Sequence, residues 1–181
     1  NIRYKYSIPS NATVILCVGT FNENKNQIAL IKAVEKLNPN SANVFLIFLG
    51  SGSTLDSCLN YVEEKSLEAN IIFPGRISDV NSFLLGCDIF SLPSKSEGCS
   101  NAILEAMSLG KPCIVNDISS NGELVKDQVN GFLVNTDDIA EYSKKMDLLI
   151  GNSKLRESFA SESIGIIKES FSIERIGTLY E

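Results

Sequence analysis

Six short apolar runs, separated by longer stretches of helical periodicity, set the frame of this chain. TVILCVG (13–19), NVFLIFLG (43–50), NIIFPG (70–75), DIFSLPS (88–94), CIVND (113–117) and GFLV (131–134) are β-branched or aromatic in character and punctuated by Gly, Pro, Asn or Ser, which predicts strands. Several are apolar at nearly every position, as expected when both faces of a sheet are covered. Between them, NQIALIKAVEKL (26–37) spaces Ile28, Ile31, Val34 and Leu37 close to a helical period, and TLDSCLNYVEEKSL (54–67) does the same with Leu55, Leu59 and Val62. Residues 101–109 and 137–150 predict further helices, and 153–168 and 172–180 a helical end broken near 170–172. Strands that alternate with helices predict an α/β domain with a Rossmann-like open parallel sheet and helices on both faces. No repeat, low-complexity segment or linker interrupts the pattern, so one domain is expected for the 181 residues.

Composition narrows the function classes. The chain is 44% hydrophobic and 21% charged, as a globular protein is, and carries a net charge of −6. No cluster of Lys and Arg offers a phosphate-neutralising face, which argues against nucleic acid as a partner. Cys17, Cys58, Cys87, Cys99 and Cys113 are odd in number and widely spaced, so neither a disulfide framework nor a C-x-x-C metal pair is read, and a reducing cytoplasm is expected. Histidine is absent, which removes imidazole acids, bases and zinc ligands. No apolar run approaches the roughly 20 residues of a membrane span, and the start NIRYKYSIPSN has no signal-peptide core. The chain also lacks an initiator Met, and a piece of a longer protein is the expectation.

In open α/β sheets, ligands bind beyond the carboxyl ends of the strands. Three segments should occupy that edge: GTFNENKNQ (19–27), GSGS (50–53) and SEGCSNA (96–102). The third places Glu97 seven residues before Glu105. On one continuous helix these carboxylates would lie about 12 Å apart along the axis and about 80° apart around it. That fits poorly with a glycosidase pair, whose carboxyl groups flank one bond at about 5 to 9.5 Å. A turn at Gly98 to Ser100, with a helix opening at Ser100 or Asn101, either a good N-cap, fits better. The first N–H groups of that helix would then face a phosphate, with Glu97 in the loop and Glu105 about one turn in. Carboxylates accept hydrogen bonds from diols, so a ligand with hydroxyls at both ends and phosphate between suits the arrangement. A nucleotide sugar is such a ligand.

SEGCSNAILEAMSLGKPCIVND (96–117) resembles the glutamate-seven-glutamate signature of the retaining glycosyltransferases of family 4. VGTFNENKNQIALIKA (18–33), FLGSG (48–52), IIFPGRISD (71–79) and NGELVKDQVNGFLV (121–134) follow the family's remaining segments in order and spacing. The resemblance covers nearly the whole chain, but only the carboxyl-terminal, donor-binding half of a two-domain GT-B enzyme. The amino-terminal, acceptor-binding half is absent from it. The resemblance implies metal-independent transfer from a nucleoside-diphosphate sugar with retention, in polysaccharide or glycolipid synthesis, on a glycan or lipid-linked acceptor. It also implies work in the cytoplasm, or peripherally at the cytoplasmic membrane face. By it, Glu97 and Lys25 are the catalytic residues, with Glu97 on hydroxyls of the donor sugar and Lys25 on the diphosphate. Amides at Gly98, Cys99, Ser100 and Asn101 meet diphosphate or sugar, Glu105 holds the ribose diol, Gly19 and Thr20 line the donor site, and Arg76 and Ile77 wrap the nucleobase. No cofactor or metal is expected, and no D-x-D motif is present to bridge one to a diphosphate.

Three positions depart from the family. Thr20 stands where arginine is usual, Asn26 where glycine is common, and Cys99 where an aromatic follows E-G. Thr20 leaves the diphosphate one cation short and moves the charge onto Lys25, the helix-start amides and Arg76. The alternatives are a GT-B nucleotide-sugar epimerase, which the lack of histidine disfavours, and a non-catalytic nucleotide-sugar binding module, motivated by Thr20 and Cys99. Singly, each feature reads as a solvated surface charge or an ordinary turn. Their order and spacing together carry the donor-site reading.

Overall fold

In the computed structural model, which describes residues 2–37 and 43–170, six parallel strands form one sheet in the order β3-β2-β1-β4-β5-β6. The strands are β1 (Thr13–Val18), β2 (Val44–Leu49), β3 (Ile71–Gly75), β4 (Ile89–Leu92), β5 (Cys113–Asn116) and β6 (Gly131–Val134). The helices are α1 (Ile2–Lys5), α2 (Gln27–Glu35), α3 (Leu55–Glu64), α4 (Val80–Gly86), α5 (Asn101–Ser108), α6 (Ser119–Leu124), α7 (Ile139–Gly151) and α8 (Ser153–Ser170).

The near-continuous apolar strands have the burial that their pattern predicts. Along β1, alternate side chains enter opposite layers: Ile15 and Cys17 pack with Leu30 and Ile31 of α2, Cys58 and Val62 of α3, and Tyr142 and Met146 of α7. Val14 and Leu16 pack with Phe83 and Leu84 of α4, Ile103 and Met107 of α5, and Leu124 of α6. Helices therefore cover both faces. α8 reaches both layers, through Phe159 on one side and Ile166 and Ile167 on the other.

The structure corrects several boundaries. Helices α1, α4 and α6 were not foreseen, because each is only 4 to 7 residues long, too short to show a helical period. The helix read from residue 26 begins at Gln27, since Asn26 adopts the left-handed conformation (φ 51°) that a right-handed helix cannot include. The strand read over 88–94 is confined to Ile89–Leu92, where Pro93, with no N–H to give, ends the ladder. The helix read over 172–180 lies outside the described residues.

Candidate functional site

The strand order reverses at β1, whose neighbours are β2 on one side and β4 on the other. The loops that leave β1 and β4 turn to opposite faces, and a crevice opens between their carboxyl ends. Lys25 and Glu97 come from these two loops.

The β1 loop is built from asparagines. Asn22 Oδ1 and the Asn22 carbonyl both accept from the Lys25 N–H, at 2.9 and 3.1 Å. Asn26, in its left-handed conformation, then turns the chain into α2; asparagine tolerates this backbone well among non-glycine residues, which accounts for its presence where the resembled family often has glycine. Gln27 Nε2 closes the loop by donating to the Thr20 carbonyl at 3.0 Å. The Lys25 stem runs over Gly19, where an added β-carbon would lie 3.7 Å from Lys25 Cδ and Cε.

The β4 loop is anchored from below and tied from the side. Asn116, at the end of β5, donates from Nδ2 to the Ser94 carbonyl at 3.0 Å, accepts at Oδ1 from the Thr136 N–H at 3.1 Å, and its carbonyl accepts from Asn121 Nδ2 at 2.9 Å. Across the crevice the Lys95 N–H donates to the Asn24 carbonyl and Asn24 Nδ2 donates to the Ser96 carbonyl, each at 2.7 Å. Lys25 Nζ forms an ion pair with the Glu97 carboxylate, and the two side chains are only 22% and 12% exposed. Screening is therefore weaker than at a surface pair, and removal of either partner would strand the other charge.

After Glu97 the chain turns through exposed Gly98 and Cys99 and enters α5 with Ser100 at the N-cap. Contrary to expectation, the Ser100 side chain makes no capping bond; its carbonyl instead accepts from the N–H groups of Ile103 and Leu104, each at 3.1 Å. The N–H groups of Gly98, Cys99, Ser100 and Asn101 find no acceptor among the described residues, which leaves a run of unspent donors at the turn into α5, next in sequence to Glu97. Glu105 is exposed on α5 one turn on, and Asn101 is exposed at its start.

Gly19, Thr20, Arg76 and Ile77 meet in a neighbouring cavity of about 210 Å³ beyond the ends of β1, β2 and β3, completed by Val18, Leu49, Gly50 and Ser51. Backbone bonds hold these three loop starts together: Gly19 N–H to Leu49 O and Gly50 N–H to Gly75 O, both 2.9 Å, and Phe21 N–H to Ser51 O at 3.0 Å. Thr20 and Arg76 are exposed, and the Arg76 guanidinium has no internal partner among the described residues. The structure thus gathers the expected residues in two adjoining groups with Gly19 between them, while Glu105 stands apart on α5. Asn24 and Asn116 were not singled out from sequence. The Asn-rich stretch FNENKN was their one available signal, and it covers only Asn24. Among the described residues no group of three or more His, Cys, Asp or Glu side chains is placed to hold a metal.

The profile of the family described as Glycosyl transferases group 1 matches residues 1–164, and the chain belongs to that family. The UDP-Gal:alpha-D-GlcNAc-diphosphoundecaprenol alpha-1,3-galactosyltransferase of Escherichia coli is 35% identical over 136 residues, 73% of this chain and 35% of its own. The lipopolysaccharide core biosynthesis glycosyltransferase LpsE of Rhizobium meliloti (strain 1021) is 27% identical over 98% of this chain and 51% of its own. Among solved structures, Anabaena Alr3699/HepE in complex with UDP has the same fold, with a TM-score of 0.90 at 23% identity over 99% of this chain and 50% of that one. The chain thus spans about half the length, or less, of the relatives it matches.

Proposed function

We propose that this chain is the donor-binding half of a retaining glycosyltransferase that transfers a sugar from a nucleoside diphosphate without a metal ion. The observation that carries this reading is the pairing of Lys25 with Glu97 at the switch point of the sheet, followed by four amides without an internal acceptor in the turn that enters α5. The diphosphate lies against those amides and Lys25, the sugar hydroxyls against Glu97, and the ribose diol against Glu105. The nucleobase sits by Arg76 and Ile77. As the bond from the anomeric carbon to the β-phosphate oxygen breaks, the leaving diphosphate takes the electron pair. Lys25 and the α5 amides are fixed where that charge grows, and so favour the transition state over the ground state.

The names of the relatives support a place in glycan assembly, and that of the Escherichia coli relative pairs a UDP-sugar with a lipid-linked acceptor. The acceptor here is a glycan or lipid-linked glycan held by a further domain, and the work is done peripherally at the cytoplasmic face of a membrane. No helix among the described residues is long and apolar enough to cross one. The test is calorimetric titration of UDP, GDP and ADP, and of their common sugar conjugates, into the chain and into Glu105→Ala. One base family should bind, and the variant should lose about tenfold to a hundredfold in affinity, the range for hydrogen bonds to a charged group. A folded wild-type chain that binds none of them would overturn the reading.

A further inference from the structure

We propose that Asn24 is a positioning residue that holds the Lys25 loop and the Glu97 loop in register across the crevice; this rests on the donor-site reading above. Lys25 and Glu97 belong to loops from β1 and β4, separated by 72 residues of sequence. Besides the ion pair, the two hydrogen bonds between these loops among the described residues both run through Asn24. Its Nδ2 donates to the Ser96 carbonyl at 2.7 Å, and its carbonyl accepts from the Lys95 N–H at 2.7 Å. Asn24 is thus the immediate neighbour of Lys25 and binds the immediate neighbour of Glu97.

The distinction between this tie and the ion pair follows from what a bound ligand does to each. An incoming diphosphate competes with Glu97 for Lys25, and a sugar hydroxyl competes with Lys25 for Glu97. The ion pair therefore loosens when the site fills. The Asn24 bonds, from its side-chain amide to the Ser96 carbonyl and from the Lys95 N–H to its own carbonyl, use none of the groups for which the ligand competes, so they keep the two side chains at a fixed spacing through binding. A spacing fixed in advance lowers the ordering cost of closing both contacts on one ligand.

The test compares the wild-type chain with Asn24→Ala, which removes the side-chain donor, and Asn24→Gln, which keeps an amide. Two readouts are taken. The first is the rate at which Lys25 is acylated by a lysine-directed reagent without ligand, followed by peptide mass spectrometry. The second is affinity for the nucleoside, the nucleoside diphosphate and its sugar conjugate. In Asn24→Ala, Lys25 should acylate several-fold faster and affinity for the sugar conjugate should fall about tenfold, the upper range for one hydrogen bond, while nucleoside affinity stays unchanged. Asn24→Gln should restore much of both. Unchanged acylation, or equal loss of nucleoside and sugar-nucleotide binding, overturns the positioning role. A wild-type chain that binds no nucleotide overturns the donor-site reading alone, and the tie between the two loops then stands or falls on the acylation readout.

Discussion

The two edges of the sheet differ in how much of their hydrogen-bonding capacity the fold consumes. At the amino edge lies the larger cavity, about 510 Å³, lined by Ile2, Arg3, Leu85, Asp88 and Lys111 among others. There the cations are spent on the fold. Lys111 Nζ donates to the carbonyls of Leu85 and Cys87 at 3.2 and 2.8 Å, at the end of α4. Arg3 donates to the Ala12 carbonyl at 2.8 Å and to Asp88 at 2.6 Å, and in the adjoining groove Arg156 donates to the carbonyls of Leu149 and Ile150 in the last turn of α7. The acceptors of Lys111 and Arg156 are helix-end carbonyls with partial negative charge, which cations satisfy. At the carboxyl edge the cavity is smaller, yet Arg76 has no internal acceptor and the amides from Gly98 to Asn101 have none either, among the described residues. Unspent hydrogen-bonding capacity, rather than volume, marks the site.

The sharpest way to break that contrast is to spoil the backbone that shapes the carboxyl edge. Gly50 has φ +145°, and a β-carbon there would fall 2.0 Å from the Gly19 carbonyl oxygen. Gly50→Ala should cost about 3 kcal/mol in chemical denaturation and abolish nucleotide binding. Gly98 lies on the same edge, but a β-carbon there meets nothing within 4 Å. Gly98→Ala should change stability by less than about 0.5 kcal/mol. Equal unfolding midpoints for the two variants would mean that the three loop starts are not packed as described.

Much of this was legible in the sequence, for physical reasons that also explain the gaps. All six strands were readable because burial on both faces forces continuous apolar runs such as TVILCV and VFLIFL. The break between Glu97 and Glu105 was readable because Gly98 and a capping-type Ser100 interrupt any helix there. Helix α6 was not, since SSNGEL is six residues of mostly polar character whose helix depends on Asn121 and Leu124 being buried by the fold. Nor was the role of Asn24, because its partners at Lys95 and Ser96 are brought to it by the pairing of β1 with β4, a long-range fact. Local chemistry can be read along a chain; a bond between two loops cannot.

A smaller effect separates two lysines of the same type at the two edges. On the proposed reading, Lys25→Ala should weaken binding of the nucleoside diphosphate by about tenfold to a hundredfold and leave the nucleoside alone, because the variant would lose a phosphate contact as well as the Glu97 pair. Lys111→Ala should leave affinity unchanged and lower stability by about 1 kcal/mol, since two carbonyls lose their donor. Calorimetry and denaturation on both variants decide this. Reversed results would place the working edge of the sheet at its amino end.

The smallest expected effect comes from a third region, and it tests whether shifted titration would mark the site just as well. On the flank formed by α2 and α3, the Tyr61 hydroxyl donates to Glu35 at 2.6 Å, and Lys65 pairs with the same carboxylate at 3.2 Å. The Tyr61 bond, helped by Lys65, holds the Glu35 carboxyl below its usual range, and the bond to Glu35 pushes the Tyr61 phenol up to about 12. Glu35, depressed on folding, contributes stability above the ordinary carboxylate range that is lost as pH falls through its lowered value. Tyr61, raised on folding, contributes stability that is full below its ordinary value of about 10 and is lost as pH rises through about 12. Tyr61→Phe should therefore cost about 0.5 kcal/mol between about pH 6 and 9, a modest figure because the pair is partly solvated, and the difference from wild type should vanish in acid and above about pH 12. Nucleotide affinity should not follow this profile. If it did, the flank would be coupled to the crevice, and unspent donors at the carboxyl edge would no longer be enough to locate the site.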